Sequence, residues 1–191
     1  MEYIEGETLE AFVTHEDSRG RLVPGKRMPQ EEVVRNIIQV CRILEYLHSQ
    51  PHPIVHQDIK PANLMVVREG DTLLVKVIDF GLAKSSLPGE ESATLSMGGF
   101  VGTPHFASPE QLEERDLDVR SDIYSLGVTL WFMLAGRVPF SGSLAQVMSQ
   151  HLAKPPPFEK LNVPAPLARL LEESAPAEAR DALRQGDLFG G

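Results

Sequence analysis

The segment from His56 to Asn63 reads His-Gln-Asp-Ile-Lys-Pro-Ala-Asn and brings a carboxylate, an ammonium group and an amide together at short fixed spacings. A carboxylate such as Asp58 can accept or orient the proton of an attacking hydroxyl. Lys60 can set a point positive charge beside a phosphate. Asn63 and Asp79, which opens an Asp-Phe-Gly triplet, offer the oxygen ligands that magnesium prefers. These residue types predict magnesium-assisted phosphoryl transfer.

Two further blocks follow in the chain. Residues 102–110 read Gly-Thr-Pro-His-Phe-Ala-Ser-Pro-Glu, and residues 121–127 read Ser-Asp-Ile-Tyr-Ser-Leu-Gly. Gly81 lets the backbone turn sharply after Asp79. A surface turn with scattered charges is the alternative for any single block, but the order and spacing of all four favour one shared site.

The elements that must position these blocks are mostly helical. Apolar residues at helical spacing predict a helix from Pro29 to about His48, which Pro51 and Pro53 end. The apolar runs 64–67 and 73–78 predict a β-hairpin, with residues 68–72 as its turn. Loops are expected over 15–29 and 84–102, and further helices over 109–114, 121–135, 144–152, 167–171 and 177–183.

Composition excludes several classes of protein. With 18 Lys and Arg against 27 Asp and Glu in 191 residues, the net charge of −9 argues against a nucleic-acid partner. One cysteine excludes an internal disulfide framework and fits a reducing, cytoplasmic setting. Glu2, Glu5 and Glu7 stand where a signal peptide would be basic. The uncharged stretch Ile123–Gly136 is shorter than the roughly 20 residues of a membrane span, so it predicts a buried core helix.

The four blocks resemble those of a protein kinase, most closely the bacterial serine/threonine kinases of the eukaryotic type. The resemblance covers about residues 1–153 and implies the C-terminal lobe of the catalytic domain. The expected fold is therefore mainly α, a helical bundle with a small hairpin that carries the catalytic and magnesium loops. Residues 1–9 would be a remnant of the hinge between lobes, 10–153 the lobe itself, and 154–191 its degenerate end and tail.

The resemblance also implies an activity. The enzyme would transfer the γ-phosphoryl group of Mg-ATP to a Ser or Thr hydroxyl of a protein substrate, with ATP and Mg²⁺ as cofactors. Asp58, Lys60 and Asn63 would be catalytic, and Asn63 and Asp79 would hold the metal. Lys60 and Thr103, which lies in the substrate segment, are typical of serine/threonine specificity rather than tyrosine specificity.

Other residues take supporting roles by the same resemblance. The backbone of Glu2 and Ile4 would bind adenine, and Met65 would form the floor of the adenine pocket, unless it is an ordinary core methionine. Structural support is expected from the stacked pair His56 and Phe80, from Gly81, from Glu110 paired with Arg180, and from Asp122, which would hold the catalytic loop by its backbone amides.

Several features depart from the family pattern. The chain contains no G-x-G-x-x-G loop and no candidate for the lysine of the third strand, so we expect the isolated chain to be weakly active or inactive. An internal start codon or a truncated gene would explain a match that begins at the hinge. The alternative function is a non-catalytic binding module derived from a kinase. Without the first lobe to cover it, a face with Met65, Phe80 and Leu82 would be exposed and favour self-association.

Gln57 and residues 20–27 also depart from known phosphate-site patterns. Gln57 replaces the arginine that usually precedes the catalytic aspartate, and a neutral amide cannot form an ion pair with a phosphate on Thr94 or Ser96. Residues 20–27 nearly fit a phosphate-binding G-x-x-x-x-G-K-[S/T] loop but lack its hydroxyl, so a solvated basic loop is expected.

Overall fold

The structure is a computed structural model and describes residues 5–19, 22–79, 104–153, 156, 157, 161 and 163–175. Its helices are α1 (Leu9–Val13), α2 (Gln30–His48), α3 (Pro109–Leu112), α4 (Val119–Ala135), α5 (Leu144–Ala153) and α6 (Ala165–Ser174). Its strands are β1 (Glu7–Thr8), β2 (Thr14–Glu16), β3 (Leu22–Pro24), β4 (Leu64–Glu69) and β5 (Thr72–Val77). Short 3-10 turns cover Pro61–Asn63 and Pro104–Phe106.

Helix α4 is the centre of the molecule. All eleven residues from Tyr124 to Leu134, together with Ser121 and Asp122, form an almost continuous buried run, as expected for a segment that is apolar on nearly every side. The Asp118 side chain caps its first turn, and Gly136 ends it in the left-handed conformation with φ 71°. Helices α2 and α6 pack against it. The predicted buried core helix is confirmed.

The hairpin of β4 and β5 is antiparallel, with Leu64 opposite Val77 and Glu69 opposite Thr72. Strand β1 joins its other side, so the sheet has the order β1-β4-β5. Gln39 of α2 fixes the hairpin to the helices, since its Oε1 accepts from Val75 N at 3.0 Å and its Nε2 donates to Leu73 O at 3.3 Å. Strand β5 is thus fixed beside α2 at Leu73 and Val75.

Two parts of the expected secondary structure are corrected. The segment 15–29 is not a loop throughout, because β2 and β3 form a two-stranded antiparallel sheet with His15 opposite Val23. Helix α2 begins at Gln30, so Pro29 occupies the N-cap position just before the helix and not its first turn. The expected loop 84–102 and helix 177–183 lie outside the described residues. None of the helices in the described part of the chain is both long enough and apolar enough to cross a membrane.

Candidate active site

One buried carboxylate, that of Asp122, binds the backbone of the loop that carries Asp58. Asp122 lies in the first turn of α4 with no exposed surface. Its Oδ2 accepts from His56 N and its Oδ1 accepts from Gln57 N, both at 2.8 Å. His48 Nε2, at the end of α2, lies 2.9 Å from the same Oδ2. A carboxylate near a helix N-terminus is favoured by the helix dipole, so this position suits an anion that orders a loop.

Three side chains meet at one carboxylate oxygen within this loop. Asn63 Nδ2 donates to Asp58 Oδ2 and to the Asp58 carbonyl, at 2.9 Å each. Lys60 Nζ lies 3.0 Å from the same Oδ2. Asn63 is 6% exposed, whereas Asp58 and Lys60 are only partly buried. The carboxylate therefore has a fixed orientation and still faces solvent, as a group that must meet a substrate requires.

The hairpin brings Asp79 to the same place. Ile78 N donates to Asn63 O at 2.9 Å, which extends the β4–β5 pairing by one step, and Asp79 follows directly. Asp79 is exposed and has φ 55°, in the left-handed region that aspartate tolerates better than most residues. Such backbone strain concentrates at functional sites.

Asn63 and Asp79 provide a donor set that fits a hard cation. Both hydrogen bonds that the Asn63 side chain makes within the described part of the chain use Nδ2, which leaves Oδ1 available. Asp79 is exposed and directly follows Ile78, whose N–H donates to the Asn63 carbonyl. One amide oxygen and one carboxylate, with water completing the shell, is a common arrangement for Mg²⁺.

His56 connects these groups. It is buried, and its Nδ1 accepts from Asp58 N at 3.3 Å. Burial lowers the pKa of the His56 imidazole. The carboxylates that oppose this shift are those of Asp122, Asp58 and Asp79. The three carboxylates therefore lie within electrostatic reach of one ring, which brings together residues far apart in sequence.

Met65 does not belong to the hydrophobic core. It alternates on β4 with the buried Leu64 and Val66 and is itself partly exposed, opposite Lys76 and Thr8. Its contact with adenine stays a prediction of the sequence.

The segment Ser108-Pro109-Glu110 is also anchored to α4. Glu110 Oε1 accepts from Ser121 Oγ at 2.5 Å. The other residues singled out by the sequence lie outside the described part of the chain. They are Glu2, Ile4, Phe80, Gly81, Leu82, Thr94, Ser96, Thr103 and Arg180.

Three contacts of this region were missed by sequence reasoning. The first joins His48 to Asp122, which is 74 residues away in the sequence. Gln111 donates from Nε2 to Gln57 O at 2.6 Å, and Tyr124 Oη lies 2.6 Å from His151 Nδ1. The spacing Ser108-x-x-Gln111 is typical of a capping box at a helix start, but it carries no sign of the contact between Gln111 and Gln57.

The sequence of the chain is similar to those of known protein kinases. The sequence matches the family model of the protein kinase domain over residues 1–178. It is 35% identical over 185 residues to serine/threonine-protein kinase A of Synechocystis sp., covering 90% of this chain and 33% of that protein. It is 38% identical over 160 residues to serine/threonine-protein kinase Pkn1 of Myxococcus xanthus, covering 82% of this chain and 21% of that protein.

A third relative, serine/threonine-protein kinase PknB of Mycobacterium leprae, is 35% identical over 157 residues, with 82% of this chain and 23% of that protein covered. The chain thus spans a third or less of the length of these curated relatives. Because the kinase family model covers residues 1–178 and each relative aligns with most of the chain, the chain belongs to the protein kinase family and has a protein-kinase-like fold.

Proposed function

We propose that the chain contributes the C-terminal lobe of a serine/threonine protein kinase, which transfers the γ-phosphoryl group of ATP to Ser or Thr hydroxyls of a protein. The observation that carries this proposal is the meeting of Asn63 Nδ2 and Lys60 Nζ at Asp58 Oδ2, with Asp79 beside them on the hairpin. The names of the relatives support the serine/threonine class.

Each side chain has a separate task in the proposed reaction. Asp58 accepts or orients the proton of the hydroxyl while the oxygen bonds to the γ-phosphorus and the bond to the β-phosphate oxygen breaks. Lys60 offsets negative charge at that carboxylate. Asn63 Oδ1 and the Asp79 carboxylate would hold Mg²⁺, which when bound neutralises charge on the phosphates. Met65, on the solvent side of β4, would contact the adenine.

Phosphate transfer by the chain alone is expected to be weak. Its sequence has no glycine-rich loop and no counterpart of the family's third-strand lysine, the two features that hold the nucleotide phosphates in kinases. Binding of Mg-ATP is therefore the sharper test. We expect millimolar Mg-ATP to raise the unfolding temperature of the chain more than ATP with EDTA does. Ligand at about 100 times its Kd would stabilise by roughly 2.7 kcal/mol.

The matched variants are Asp79→Asn and Asp71→Asn, since both aspartates lie on the same hairpin and only Asp79 is at the site. The magnesium-dependent increment should vanish in Asp79→Asn and persist in Asp71→Asn. The absence of any increment in the wild-type chain would refute the proposal and favour the alternative, a binding module without catalysis.

Self-association through the face that contains Met65 stays a prediction of the sequence. Met65 is partly exposed there. Light scattering that shows a monomer at high protein concentration would contradict it.

A further inference from the structure

The side-chain amide of Gln111 links two segments that flank the site. Its Oε1 accepts from Ser108 N at 3.0 Å, and Gln111 N donates to Ser108 Oγ at 3.4 Å, which completes a capping box at the start of α3. Its Nε2 donates to Gln57 O at 2.6 Å. One half of the amide therefore caps a helix, and the other half reaches the loop that carries Asp58.

Gln57 needs such an anchor. It has φ 68°, a left-handed conformation that costs a residue with a Cβ about 1–2 kcal/mol. Its N–H is held by Asp122 Oδ1 and its carbonyl by Gln111 Nε2. Asp58 is the next residue. Because the peptide groups on both sides of Gln57 are fixed, the orientation of the Asp58 side chain relative to the loop is fixed as well.

We propose that Gln111 is a positioning residue that sets the orientation of Asp58 through the Gln57 carbonyl and so couples the Ser-Pro-Glu segment to the catalytic loop. The inference rests on the proposed function for its catalytic consequence. Its structural part stands on the 2.6 Å contact and on the strained backbone of Gln57.

The chemistry of the amide allows the two roles of Gln111 to be separated. Gln111→Glu keeps an oxygen for Ser108 N, so the capping box survives, but it replaces the donor to Gln57 O by a second acceptor that repels the carbonyl. Ser108→Ala is the matched control. It removes the hydroxyl half of the capping box and leaves both contacts of the Gln111 side-chain amide in place.

The test combines amide hydrogen exchange with kinetics on the full chain. We expect the protection of the Gln57 and Asp58 amides to fall at least tenfold in Gln111→Glu and less than threefold in Ser108→Ala. Transfer of labelled phosphate from Mg-ATP should show a kcat lowered about tenfold in Gln111→Glu, with the KM for Mg-ATP within twofold of wild type.

Unchanged protection in Gln111→Glu would overturn the inference, as would lost protection with an unchanged kcat. If the wild-type chain transfers too little phosphate to measure, the exchange comparison alone decides whether Gln111 positions the loop, and the Mg-ATP binding test separately decides the proposed function. A variant Gln111→Ala, which loses both contacts, should lose protection to the same extent as Gln111→Glu.

Discussion

Asn63 donates from a single nitrogen, Nδ2, to both the carboxylate and the backbone carbonyl of Asp58, at 2.9 Å each. These two bonds tie Asn63 back to Asp58 and so close the segment between them. Because both bonds use Nδ2, the amide oxygen of Asn63 takes no part in them, and the backbone carbonyl of Asn63 accepts from Ile78 N, the residue before Asp79. The same residue thus orients the proposed base and offers a ligand for the proposed metal.

The first prediction concerns Asn63. Asn63→Ala removes both bonds to Asp58 and leaves a small buried gap, so we expect the free energy of unfolding to fall by about 1–3 kcal/mol. Chemical denaturation measures this change. Lys60→Met is the comparison, since its ion pair with Asp58 is partly solvated and should contribute no more than about 1 kcal/mol. Equal effects of the two variants would contradict the central place given to Asn63.

The second prediction compares two aspartates of α4. Asp122→Asn replaces a buried acceptor of two backbone N–H groups by an amide, whose NH₂ faces one of those donors. We expect a loss of about 3–5 kcal/mol, as for other broken buried charge networks. Asp118→Asn, at the half-buried N-cap of the same helix, should cost about 1 kcal/mol or less.

Urea denaturation with matched slopes gives both values. Similar losses in Asp122→Asn and Asp118→Asn would mean that Asp122 does not organise the loop.

These contacts define what the sequence could and could not predict. Helix α2 can be predicted because Val33, Ile37 and Leu44 recur at helical spacing. Helix α4 can be predicted because its apolar run is longer than a typical β-strand. The hairpin is readable from Gly70 and Asp71 between two apolar runs. The pair β2 and β3 is not, because three-residue strands with polar members carry no clear alternation.

The site shows the same division. The identities of Asp58, Asn63 and Asp79 follow from local motifs and their chemistry. The contact of Asp122 with His56 spans 66 residues, and that of Gln111 with Gln57 spans 54. No local pattern encodes such pairs. The first was expected only from the family resemblance, and the second came only from the three-dimensional structure.

The third prediction is a pH dependence of stability that arises at His151. Its ring is 2% exposed and packs against Phe140 and Tyr124, and burial, followed by the nearby His105, lowers the pKa of His151 to about 4. Between about pH 4 and the ordinary value of 6.5, only the unfolded chain binds this proton. The free energy of unfolding therefore falls as the pH drops through this window, by about 3 kcal/mol across the whole window.

His151→Gln should flatten that dependence, because glutamine can accept from Tyr124 Oη without titrating. His52→Gln, at an exposed position, should leave it unchanged. Unfolding free energies at pH 7 and pH 5 provide the measurement. The same slope in His151→Gln and wild type would assign the effect to other groups.

The fourth prediction concerns the contact between α4 and α6. A Cβ on Gly127 would collide with the Oγ and Cβ of Ser174, so Gly127→Ala should destabilise the chain by about 1–3 kcal/mol. Ser174→Gly removes both of those atoms and should restore most of the loss in the double variant. A double-mutant cycle measures the coupling, and strictly additive effects would show that the helices do not meet at this point.

The central claim is that Asp58, Asn63 and Asp79 converge on one divalent cation with its nucleotide. Paramagnetic Mn²⁺ added with ATP to isotope-labelled chain tests it most directly, since Mn²⁺ accepts the same oxygen ligands and broadens nearby NMR signals. We predict that broadening centres on the amides of these three residues, disappears in Asp79→Asn and persists in Asp71→Asn. Broadening centred elsewhere, or equal in the two variants, would contradict the account.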